Sequence, residues 1–122
     1  MLQLRTIIKP ADNCGAKSVQ IMHIYVGSKH KQAGIGDIVL GVVKEAIPNA
    51  LVKKKEKVRV VIVRTKKEIG RRDGSYIRFS DNAGIIIDTQ NNPRGTRIFG
   101  PIAREIKDAG FNKIASMARE VY

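Results

Sequence analysis

A chain of 122 residues, 43% of them hydrophobic, fits one domain by length and can bury a core without disulfide or metal staples. Its 23 Lys and Arg against 11 Asp and Glu leave a net charge of +12, which favours a polyanionic partner: nucleic acid first, an anionic membrane surface second. The single cysteine, Cys14, excludes an internal disulfide and suits a reducing compartment.

The opening stretch "MLQLRTIIKPADN" has no long apolar core, no small-residue cleavage site and no Arg- and Ser-rich transit character. No targeting peptide is expected. No apolar run approaches the roughly 18 residues of a membrane span. The first ninety residues read as strands and turns, with no internal repeat. "TIIKPAD" (6–12) is a short strand, and Pro10 suggests an edge. "AKSVQIMHIYV" (16–26) alternates, with Val19, Ile21, His23 and Tyr25 on one face and Gln20, Met22, Ile24 and Val26 on the other. "DIVLGVVKEAI" (37–47) and "KVRVVIVRTKK" (57–67) are further strands, the second strongly β-branched. "SYIRFS" (75–80) and "AGIIID" (83–88) follow. Short strands separated by Gly and Asp turns predict a small barrel. Val60 to Val63 put apolar groups on both faces of one strand, so the outer face needs a cover from this chain or from a partner. "TQNNPRGTR" (89–97) is loop. "PIAREIKDAG" (101–110) reads as a short helix, with Pro101 at its first position and Gly110 as its left-handed stop. "NKIASMA" (112–118) is a second, with Asn112 as N-cap. Domain boundaries follow: a barrel over 1–90, with a ribbon at about 64–79, and a packed tail over 91–122.

No catalytic constellation emerges. His23 reads as a packed strand histidine and His30 as a solvated loop one. The carboxylates are scattered, and Cys14 with two distant histidines gives no zinc spacing. Gly34-Ile35-Gly36 fails as a dinucleotide fingerprint, because residue 39 is Val and a strand follows. No cofactor and no small-molecule substrate is expected.

The cations cluster instead. Lys29, His30 and Lys31 share one loop. Lys53, Lys54, Lys55 and Lys57 share another. "RTKKEIGRRDGSYIRF" (64–79) carries Arg64, Lys66, Lys67, Arg71, Arg72 and Arg78, and its Asp73-Gly74 is a hairpin signal. Arg94, Arg97, Arg104, Lys107, Lys113 and Arg119 lie in the tail. Any one such run is often a solvated face, but together they exceed what solubility requires. Lys and Arg on projecting loops suit phosphate contact. The six Phe and Tyr are dispersed and read mostly as core or hinge positions, with no stacking platform for a single strand. Folded RNA bound through its backbone fits better than the rival reading, an OB-type or cold-shock single-strand module.

"ADNCGAK", "GDIVLGVVKEAIPN", "VVIVRTKKEIGRRDGSYIRFSDNAGIII", "NPRGTRIFGPIAREI" and "FNKIASMAREVY" together resemble, in order and across essentially the whole chain, the universal large-subunit ribosomal protein L-fourteen family. Cys14, often Ser or Thr there, and Arg119, often Pro, are small departures. The resemblance implies a mainly β fold: a five-stranded barrel, a projecting ribbon and two short C-terminal helices. It implies a non-enzymatic constituent of the large subunit, in a bacterial cytoplasm or a chloroplast stroma. Implied partners are large-subunit rRNA, small-subunit rRNA across the subunit interface, proteins of the L-three and L-nineteen families, and a ribosomal silencing factor. The implied rRNA contacts are Arg5, Lys9, Asn13, Lys17, Lys29, His30, Lys31, Lys44, Lys53, Lys54, Lys55, Arg64, Lys66, Lys67, Arg71, Arg72 and Arg78. The implied face for the small subunit and the silencing factor holds Thr96, Arg97 and Lys113.

Overall fold

The computed structural model describes residues 2–25 and 32–122. Lys29, His30 and Lys31 lie outside the described residues. In chain order the strands are β1 (Leu2–Gln3), β2 (Ile7–Pro10), β3 (Ala16–Ile24), β4 (Gln32–Ala33), β5 (Ile38–Ala46), β6 (Lys57–Arg64), β7 (Ile69–Gly70), β8 (Tyr76–Ile77) and β9 (Ala83–Ile87). Two short helices follow, α1 (Glu105–Asp108) and α2 (Asn112–Met117).

Five strands close a barrel in the order β2-β3-β5-β6-β9. Every pairing is antiparallel except the seam, where β2 runs parallel to β9 with Lys9 opposite Ala83 and Pro10 opposite Gly84. The expected edge at Pro10 is therefore absent. Pro10 is tolerated because the β2–β3 ladder ends at Ile8, leaving no donor needed on that side. Towards β9, Lys9 N–H donates to Asn82 O and Ala11 N–H to Gly84 O.

The barrel interior is lined by Ile8, Val19, Ile21, Ile24, Val39, Val43, Val58, Val60, Ile62 and Ile86. Val19, Ile21 and Ile24 cannot share a face by strict alternation. A register shift between Ile21 and His23 resolves this: Met22 and His23 both stay exposed, and Ile24 turns inward. The expected alternation along residues 16–26 thus breaks at Met22.

A second core lies outside the barrel. Val61, Val63, Ile85 and Ile87 point outward from β6 and β9 and pack against Ile98, Ile102, Ile106, Phe111 and Ile114. The cover for the outer face of β6 is the chain's own tail, and Val61 and Val63 are fully buried. The path of that tail explains a late helix start. Ile102 N–H donates to Glu120 O and Ala103 N–H to Val63 O, so residues 101–103 are tied to neighbouring backbone and α1 begins at Glu105. Gly110, at φ 97°, ends the turn as expected. Asn112 is the first residue of α2, not its cap; Phe111 takes that place without a side-chain bond.

Candidate nucleic-acid interface

Asp12 and Asn13 build the first part of the site. Asp12 is buried, and its carboxylate accepts from Ile86 N–H at 3.2 Å and from the Cys14 thiol at 3.2 Å. Burial pushes its pKa up against these bonds. Burial, with Asp12 alongside, pushes the Cys14 thiol up to about 12, so it stays protonated and unreactive. Asn13 faces the other way. Its Oδ1 accepts from Thr96 N–H (2.8 Å) and Arg97 N–H (3.1 Å), and its Nδ2 donates to Thr96 Oγ1 (2.8 Å). A Cβ on Gly95 would stand 2.7 Å from Asn13 Oδ1, so a side chain there would press on the oxygen that joins the two loops. Thr96 and Arg97 are thereby fixed at the mouth of a cleft of about 530 Å³ shared with Phe99, Met117 and Arg119. Lys113 is exposed on α2, one turn before Met117.

The ribbon is a short hairpin. Ile69 pairs with Ile77 and Gly70 with Tyr76. Its tip is a turn closed by Gly74 N–H to Arg71 O (3.0 Å), followed by Arg71 N–H to Ser75 O (2.8 Å). Gly74 alone at the tip has positive φ, at 87°. This is a four-residue turn with a glycine bulge, not the two-residue Asp-Gly loop that needs both residues left-handed. Asp73 Oδ1 accepts from the Ser75 hydroxyl (2.6 Å) and amide (3.0 Å), and those bonds hold its pKa below the ordinary carboxylate range.

Two cations of this stretch are anchored inside the protein. Arg64 is buried. Its Nε lies 3.1 Å from Asp81 Oδ1, a charge contact too poorly aligned for a hydrogen bond, while Nη1 donates to Phe99 O at 3.1 Å. Arg71 grips Glu105 through Nε at 2.7 Å and Nη2 at 3.3 Å, which ties the hairpin to α1. The others face solvent. Lys66 and Arg78 flank one cleft beside Phe79 and Ser80. Arg72 and Arg104 line another, of about 670 Å³, between hairpin and helix. Lys9, Lys17, Lys54 and Lys67 are exposed.

Near β3 and β5, Arg5 and Lys44 border a cleft with Leu4, Gln20, Met22 and Val42. Arg5 (φ 70°) and Lys55 (φ 68°) both sit in the left-handed region that favours glycine. Each is held there by its backbone N–H, which donates to Ile21 O and Val43 O respectively, both at 2.7 Å. Lys53 and Lys55 belong to a tight turn closed by Glu56, whose carboxylate accepts from Lys53 N–H at 2.9 Å.

Sequence reasoning passed over several residues. Asp81 and Glu105 read as scattered carboxylates, yet they set two arginines from 17 and 34 residues away. Such separations leave no local signal. His23 is exposed rather than packed in the core, and Tyr25, Tyr76, Phe99 and Tyr122 are exposed as well. Among the described Phe and Tyr residues, Phe111 alone is buried.

The arrangement offers fixed loops bearing exposed Lys and Arg around a rigid barrel. That is chemistry for holding a polyanion in a set orientation. Residues 1–122, the whole chain, match the family model described as Ribosomal protein L14p/L23e. The chain belongs to that family, whose members are structural proteins of the large ribosomal subunit.

Proposed function

We propose that the chain binds large-subunit rRNA through its exposed loop and ribbon cations and helps bridge to small-subunit rRNA. The observation that carries this reading is that Lys9, Lys17, Lys44, Lys53, Lys54, Lys55, Lys66, Lys67, Arg72 and Arg78 all stay exposed on turns and strand ends held by backbone hydrogen bonds. Arg64 and Arg71 serve the same interface by bracing the ribbon stretch, and exposed Asn13 by fixing the loop that carries Thr96 and Arg97. Lys29, His30 and Lys31 extend the set by sequence. Thr96, Arg97 and Lys113 form the face towards the small subunit and the silencing factor. Proteins of the L-three and L-nineteen families are its neighbours, in the ribosome of a bacterial cytoplasm or a chloroplast stroma.

Phosphate-led binding has a signature. With about six to ten phosphate contacts, affinity for a folded rRNA fragment falls roughly 10³- to 10⁵-fold between 50 and 200 mM salt. Filter binding across that range checks it. An affinity that barely moves would sink the reading.

A further inference from the structure

The outer face of the barrel has a row that the tail does not cover completely. His23 on β3 lies opposite Leu40 on β5, Leu40 opposite Arg59 on β6, and Arg59 opposite Ile87 on β9. The row therefore shares one face, and Ile87 joins the core beneath the tail. At its far end His23 and Tyr25 meet edge to face, with ring centroids 5.1 Å apart and planes at 83°. Tyr25 remains 48% exposed, and His23 is exposed too. The Arg59 guanidinium stands over the Tyr25 ring, 6.0 Å from its centroid. It is held there because Nη1 donates to Asp88 O (3.3 Å) and Thr89 O (3.1 Å).

This is a small aromatic platform with a fixed cation. Among the described residues no carboxylate forms an ion pair with Arg59. The Asp37 carboxylate accepts from Gly34 N–H, and the Asp88 carboxylate accepts from Gln90 N–H and Asn92 N–H. The bulge at Met22 creates the platform by turning His23 outward. An exposed ring braced by a second ring and an arginine is what an unstacked base requires: a π-face to lie on and a charge for the neighbouring phosphate. A protein side chain could also lie there, but a net charge of +12 and a pinned arginine favour RNA.

We propose that His23, Tyr25 and Arg59 form a stacking site for one unpaired nucleobase of the bound RNA, with Arg59 taking the adjacent phosphate. The site rests on the RNA-binding reading above and adds a contact that is not to the RNA backbone.

The test compares two probes of equal charge on the full chain: the RNA hexamer rA6 and a hexamer of abasic ribose phosphate. Fluorescence anisotropy at one salt concentration gives both affinities. The wild type binds rA6 roughly 5- to 150-fold more tightly than the abasic strand. Tyr25→Phe keeps the preference and Tyr25→Leu loses it, while the abasic affinity is the same in all three. Thermal melts confirm that Tyr25→Leu is folded. Equal affinities in the wild type, or a preference that survives Tyr25→Leu, overturn the site. In those cases a steep salt dependence of both probes leaves the phosphate-binding reading standing.

Discussion

Asp12 lies beneath the turn that carries Asn13, and burial outweighs the bonds it accepts from Cys14 and Ile86. Its folded pKa therefore lies above its ordinary value of 3.8. The sign is opposite to that of a salt-bridged carboxylate. Its contribution to stability is fully present below pH 3.8 and is lost as the pH rises through the folded pKa. Wild type should thus gain stability relative to Asp12→Asn as the pH falls from 7 towards 4. Urea unfolding of both proteins across that range measures the difference; a difference that stays flat removes the argument. Little at this scale was legible in the sequence. Asp12, two residues from Cys14, could be read as a local turn former, but not as a buried acceptor for Ile86 N–H. Arg64 and Arg71 read as free cations because their partners, Asp81 and Glu105, are remote in sequence. Exposure of His23 and Tyr25 depends on a bulge that only the pairing with β5 reveals.

Strands were the easier elements, since β-branched runs such as Val58–Val63 dictate extended backbone. β3, β5, β6 and β9 all fall inside the stretches expected for them. Competition from distant backbone explains where the local signals mislead. Pro10 signals an edge locally, and closure onto β9 removes that edge. Pro101 signals a helix start, and hydrogen bonds to Val63 and Glu120 hold the chain extended there. Barrel closure also puts one glycine under constraint. Gly84 sits opposite Pro10 and Ile62, with Val60 crowding the space a side chain would need. An added Cβ would stand 3.1 Å from both Ile8 Cδ1 and Val61 O. The carbonyl cannot move without breaking its ladder. Gly84→Ala is therefore expected to destabilise the protein by about 1–3 kcal/mol, the usual range for an overfilled core. Denaturant midpoints would show it, and a neutral outcome would mean the seam is looser than its geometry.

Across the whole molecule, a charge of +12 meets three ion pairs among the described residues, at Arg64, Arg71 and Arg94. Repulsion between the remaining cations dominates the electrostatics of the isolated protein. Raising ionic strength from 20 to 200 mM screens it and should raise the Tm, on the order of 5 °C for each kcal/mol relieved. Scanning calorimetry over that range is the check, and a falling Tm would show the ion pairs to matter more than the repulsion.

The tail that seals β6 and β9 also sets an order of events during synthesis. Once β9 leaves the ribosome, every barrel strand is present and the seam with β2 can close. Val61, Val63, Ile85 and Ile87 are then still bare on the outside, because Ile98, Ile102, Ile106 and Ile114 are still inside the exit tunnel. The strip stays bare until the residues up to Ile114 have followed β9 out of the ribosome. For that interval the nascent chain presents an aliphatic strip beside a dense positive charge, a combination that invites aggregation with any polyanion at hand. A chaperone that shields aliphatic strands would be needed for that interval only, and the arrival of Ile114 would displace it.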